Sequence, residues 1–130
     1  MSTNKVLLQR AHKLYNSSGW LFLDVREKDE IMKRGTIPGA KHIPRGLLEF
    51  RIQTVANYNT PIIIFSNSNA RATLSAFTLS KTLGYGKVYV LEGGFEAWKR
   101  AGYITTKQNT SDNPHHKNIN HKILKKIKRR

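Results

Sequence analysis

The sequence predicts an α/β domain with a mostly parallel central sheet and helices on both faces. The first observation is a set of short, almost continuously apolar runs: Trp20-Leu21-Phe22-Leu23-Asp24-Val25, Pro61-Ile62-Ile63-Ile64-Phe65 and Lys87-Val88-Tyr89-Val90-Leu91. Runs of this length without polar alternation are strands covered on both faces. The second is the stretch between the last two runs, where Ala72, Ala76, Leu79 and Leu83 step by four, three and four residues, the apolar stripe of a helix. Strand, helix, strand with short connections is a right-handed parallel crossover.

Each element has its own local reason. Val6, Leu7, Ala11, Leu14 and Tyr15 fall near a 3.6-residue period and predict an amphipathic helix from Lys5 to Tyr15, stopped by Asn16-Ser17-Ser18-Gly19. The runs from Trp20, Pro61 and Lys87 are the strands. The helix from Ala72 to Leu83 meets its stop at Gly84. Residues 92–101 predict a further helix, with Phe95, Trp98 and Ala101 on one face, Gly102 at its end, and Phe95 and Trp98 in the core.

At 130 residues the chain is expected to form one domain, and one core of that size needs no staples. The chain has no cysteine, which excludes disulfides, thiolate metal sites and a cysteine nucleophile. No apolar run approaches the ~18 residues of a membrane span, and Met1-Ser2-Thr3-Asn4-Lys5 does not lead into a signal-peptide core; the expected compartment is the cytoplasm. The formal net charge is +15, from 23 Lys and Arg against 8 Asp and Glu. Its distribution divides the chain into a body, residues 1–106, and a basic tail, 107–130, which carries eight Lys and Arg and one acid. The tail opens on Gln108-Asn109-Thr110-Ser111-Asp112-Asn113-Pro114-His115-His116, a linker composition. Beyond it Ile119, Ile123, Leu124 and Ile127 recur at helical spacing among Lys122, Lys125, Lys126, Lys128, Arg129 and Arg130. A basic amphipathic helix of about twelve residues is marginal alone in water, so the tail is expected to order only against a partner or the body. Nonspecific contact with nucleic acid or an anionic membrane, falling with salt, or simple solubilisation are its open readings. His115, His116 and His121 lack a metal-ligand spacing; no metal and no cofactor are expected.

In open α/β sheets, sites form where a strand's carboxyl end feeds the next helix. After Phe65 the chain reads Ser66-Asn67-Ser68-Asn69-Ala70-Arg71 before the helix. Successive backbone N–H groups there can converge on an anion, with Arg71 adding a permanent cation. Serine and asparagine are equally ordinary turn and N-cap residues, and on the loop alone the two readings balance.

Three further segments resemble single-domain rhodanese-like proteins, which carry sulfane sulfur on a cysteine persulfide. They are Leu23-Asp24-Val25-Arg26-Glu27; Gly35-Thr36-Ile37-Pro38-Gly39-Ala40, where the family usually has Gly-His-Ile-Pro-Gly-Ala; and Leu91-Glu92-Gly93-Gly94-Phe95-Glu96-Ala97-Trp98. They occur in the family's order within Lys5–Tyr103. The resemblance implies a rhodanese-like fold and places Ser66 at the family's nucleophilic cysteine, in a loop of pattern Cys-Arg-x-Gly-x-Arg. Asn67 then stands for the first arginine, Asn69 for the glycine and Arg71 for the final basic residue. Six residues also argue against the related phosphatases, whose loop is one residue longer. Departures at Asn67 and Asn69 favour natural divergence over a single cysteine-to-serine exchange.

Persulfide chemistry needs a polarizable thiolate, which a thiol of pKa ~8.5 supplies and a serine hydroxyl does not. Serine attacks only with an adjacent general base, and nothing in the sequence places His42 or His12 beside Ser66. Asn69 tolerates the left-handed conformation of the glycine it replaces, so the anion cradle is expected to outlast the nucleophile. Asp24 and Arg26 are expected to make a structural tie at the strand end. Gly35, Pro38 and Gly39 are turn residues. Arg45 and Arg51, near the expected site mouth, are candidate anion attractors. The leading expectation is a catalytically inactive rhodanese-homology protein whose loop binds thiosulfate, sulfate or a phosphate-like anion. The alternatives are a thiosulfate-type sulfurtransferase in Cys-to-Ser form, and an adaptor attached through its tail.

Overall fold

The computed structural model describes residues 4–107. A five-stranded, wholly parallel sheet runs in the order β1-β5-β4-β2-β3, from β1 (Asn4–Val6), β2 (Leu21–Asp24), β3 (Lys41–His42), β4 (Ile62–Phe65) and β5 (Val88–Leu91). Every β4 residue is buried. Alternate side chains of that strand enter two different cores, as a strand's period of two requires. Ile62 and Ile64 face Leu48, Ile52, Ala72, Ala76 and Leu79, while Ile63 and Phe65 face Ala11, Ile37, Phe95 and Trp98.

The helices α1 (Leu8–Tyr15) and α5 (Gly94–Arg100) cover one face; α3 (Leu48–Arg51) and α4 (Ala70–Phe77) cover the other. Helix α2 (Lys28–Arg34) buries no residue. It is held at its start by a capping box, in which Glu30 accepts the Glu27 N–H at 2.8 Å. Helix α3 is flanked by 3-10 turns at Arg45–Leu47 and Ile52–Thr54. Trp98 anchors the α5 face: it is fully buried, donates its indole N–H to the Ile104 carbonyl at 2.8 Å, and meets Tyr15, Phe22 and Tyr103 edge-on.

Several expected boundaries move. The stretch from Lys5 is not helical at its start: Asn4–Val6 pairs with β5, Asn4 opposite Tyr89 and Val6 opposite Leu91, and the helix begins at Leu8. Three residues are too few to show a strand period, and only the open edge of β5 gives them partners. The helix expected from Ala72 to Leu83 starts at Ala70, and a π-helical turn, Thr78–Thr82, closes it. The last helix starts at Gly94, because Glu92 and Gly93 turn the chain off β5. The packed chain runs on through Thr106, whose N–H reaches the Thr36 carbonyl at 2.8 Å, and Lys107, whose Nζ donates to the Met32 carbonyl at 2.9 Å. The rest of the basic tail, residues 108–130, lies outside the described residues.

Candidate functional site

The carboxyl ends of β2, β4 and β5 converge on the loop from Ser66 to Arg71. Ser66 is buried directly after β4, and its Oγ donates to the Ser68 carbonyl and accepts the Ala72 N–H, both at 3.2 Å. Both roles of the hydroxyl are used inside the loop. The loop carbonyls turn toward α5: Phe95 N–H donates to Ser66 O at 2.8 Å and Glu96 N–H to Asn67 O at 3.1 Å. A Cβ on Gly94 would lie 2.6 and 2.7 Å from those two oxygens and closer still to Ser68 O. No peptide here is cis, so the N–H groups of Asn67, Ser68 and Asn69 point away from α5. None of the N–H groups of Asn67, Ser68, Asn69, Ala70 and Arg71 has a hydrogen-bond acceptor among the described residues. Five successive amides are therefore open, three on one face of a loop and two at the start of α4, an arrangement suited to an anion.

Two expectations about this loop change. Asn69 is not left-handed: it has φ −108° and ψ −20°, and no residue other than glycine has positive φ among the described residues. Its contribution is its side chain, whose Oδ1 accepts the Gly93 N–H at 3.0 Å and ties the loop to the turn before α5. Nor is Arg71 an unneutralised cation. Its guanidinium grips Glu30 of α2 through two bonds of 2.6 and 2.7 Å, a bidentate pair. The Arg71 bond holds the Glu30 carboxyl down from its ordinary 4.5 to about 2, and Glu30 in turn raises the Arg71 pKa. The partner is 41 residues away in sequence, and that distance is why local reading missed it.

Asp24 and Arg26 form the buried floor of the neighbouring turn. Arg26 Nε and Nη2 reach the two Asp24 oxygens at 3.0 and 2.8 Å, and Nη2 also donates to Gly35 O at 2.6 Å. Thr36 Oγ1 closes the cluster on Asp24 at 2.6 Å. The guanidinium lies 4.4 Å from the centre of the Phe95 ring, and its Nη1 is buried without an acceptor. Arg45 is exposed on a 3-10 turn, and no hydrogen bond or ion pair joins its side chain to the loop; Arg51 is likewise exposed. His42 Nε2 lies 2.7 Å from the Arg26 carbonyl, and His12 stacks on Tyr103 at 3.8 Å, so neither is hydrogen-bonded to Ser66. Among the described residues no cluster of His, Asp or Glu could hold a metal, and no helix is long and apolar enough to cross a membrane. His115, His116 and His121 lie outside the described residues.

A parallel sheet whose central strand delivers a loop into the next helix defines a class of open α/β domains that carry their sites at the carboxyl ends of the strands. Within that class the chain belongs to the rhodanese-like domain family, which its residues 7–101 match. It is 32% identical over 92 residues to a sulfurtransferase of Allochromatium vinosum, covering 71% of this chain and 83% of that protein. It is 30% identical over 104 residues to thiosulfate sulfurtransferase GlpE of Ectopseudomonas mendocina, covering 80% and 92%. Among solved structures, a protein of unknown function from Rhodopseudomonas palustris, described as a possible tyrosine phosphatase, superposes with TM-score 0.71 at 29% identity over 79% of this chain and 84% of its own.

Proposed function

We propose that this chain is a rhodanese-fold binding module that holds a small oxyanion on the loop Ser66–Arg71 and does not turn over sulfur. The observation that supports the reading is the loop itself: five successive amides have no acceptor among the described residues, next to a serine hydroxyl, engaged by Ser68 O and Ala72 N–H, that stands in place of a thiolate. Open successive backbone amides favour an anion whether or not a nucleophile is present. A hydroxyl with no hydrogen-bonded base keeps its proton, and an oxygen cannot serve as a sulfane carrier. Thiosulfate, sulfate and phosphate share the oxygen geometry the amides would meet. The cytoplasmic setting expected from the absence of a membrane-length apolar run and of a signal-peptide core in the sequence belongs to the same proposal.

The sulfurtransferase names of two relatives favour one second reading, a working sulfur-transfer pocket lacking only the thiol. In that chemistry a thiolate takes the outer sulfur of thiosulfate, releasing sulfite, and the persulfide then yields its sulfur to cyanide as thiocyanate. Assaying this reaction for the full chain and for Ser66→Cys separates the two. Turnover by neither upholds the binding module; turnover by the variant alone favours the second reading; turnover by the unaltered chain overturns both. Titration with thiosulfate and sulfate, followed at the amides of residues 67–71, tests the anion directly. No saturable shift there sinks the cradle.

A further inference from the structure

We infer that the chain has a second ligand site, on the carbonyl side of the loop, for a hydroxyl-bearing organic phosphate the size of a sugar phosphate. A cavity of about 310 Å³ opens there, lined by Arg34 at the end of α2, Asn67 of the loop, and Phe95, Glu96, Lys99 and Arg100 of α5. Small-molecule sites begin near this size, at about 300 Å³. Its position separates it from the cradle, because Ser66 O and Asn67 O point to α5 while the open loop amides point the other way.

The charge of the cavity is unbalanced. Three cations share one carboxylate, and Glu96 meets them loosely: Arg34 at 3.6 Å, Arg100 at 3.5 Å, and the Asn67 amide nitrogen at 3.3 Å. Lys99 has no carboxylate partner among the described residues. Two net positive charges in a concave site suit a phosphate monoester, which carries about −1.5 to −2 at pH 7, and arginine forks match its oxygens. The remaining chemistry is supplied by Glu96, the one carboxylate of the lining, which is 44% exposed and loosely held. A bare phosphate dianion is repelled by it; a ligand hydroxyl donates to it. The volume left beside a phosphate group has room for such a polyol portion, and Phe95 with the alkyl stems of Lys99 and Arg100 gives it an apolar wall.

The test is an NMR titration of the full chain with glucose 6-phosphate, inorganic phosphate and glucose as probes. Expected are saturable shifts at Arg34 and residues 95–100 with glucose 6-phosphate, weaker binding of phosphate and none of glucose. Lys99→Gln should weaken glucose 6-phosphate about five- to tenfold, and Glu96→Gln should strengthen it several-fold by removing the competing carboxylate. Equal affinity for inorganic phosphate, shifts confined to the amides of 68–71, or indifference to Lys99→Gln overturns the site. So does binding of an oligoribonucleotide with none of the sugar phosphate. Failure of the cradle itself is read separately, from thiosulfate shifts at 68–71, and leaves this site standing.

Discussion

Gly94 is the residue on which the loop leans, and replacing it with alanine is the sharpest test of how the loop is held. Its φ is +66°, a conformation that costs an L-residue about 1–2 kcal/mol. The new Cβ would also press on the backbone carbonyls of Ser66, Asn67 and Ser68, none of which is a flexible side-chain end. Moving α5 aside would weaken the bonds from Phe95 N–H and Glu96 N–H to Ser66 O and Asn67 O, each contributing about 1 kcal/mol. The sum is about 3–4 kcal/mol, a large part of the ~5–15 kcal/mol that holds a domain together. For a domain near this size, 3 kcal/mol lowers Tm by about 12–24 °C. Gly102→Ala is the control: its φ is +85°, but nothing lies within 4 Å of its Cβ, so it should lose only about 1 kcal/mol. Thermal and urea melts of the two variants beside the unaltered chain give the comparison. Equal losses in both would refute the claim that α5 and the loop are in enforced contact.

Four other outcomes follow from the structure. Because Arg71 holds Glu30 near 2 against an ordinary 4.5, the pair contributes stability that is present above about pH 4.5 and drains away as pH falls toward 2. Urea midpoints across that range should fall more steeply for the unaltered chain than for Glu30→Gln, and parallel slopes would contradict the assignment. Arg26→Met should cost about 3–5 kcal/mol, since it strands the fully buried Asp24 carboxylate. Arg71→Met, at a half-buried pair, should cost nearer 1 kcal/mol by the same urea melts. Trp98→Ala should destabilise by about 3–5 kcal/mol and Trp98→Phe by about 1–2 kcal/mol, the latter reflecting mainly the lost bond to Ile104 O; calorimetry showing the two equal would deny that bond a role.

The amino-acid sequence by itself determined the parallel α/β class, the strands at Leu21–Asp24, Ile62–Phe65 and Val88–Leu91, and the short loop that joins the second of these runs to its helix. These are legible because burial on both faces leaves a continuous apolar run, and because a strand feeding a helix is a local event. The absent thiol is also a property of the sequence alone. Tertiary structure decided what each loop residue does. Val6 shares a helical period with its neighbours, yet it pairs with Leu91, since an open sheet edge offers backbone partners that periodicity does not record. Asn69 takes a right-handed conformation, and its side chain accepts the Gly93 N–H. Arg71 is neutralised because α2 carries Glu30 to it, and the Asn67 amide meets Glu96 of α5. Partners 24 to 41 residues apart are set by how helices pack on the sheet, and a side chain's charge and hydrogen bonds answer to the neighbours that packing delivers.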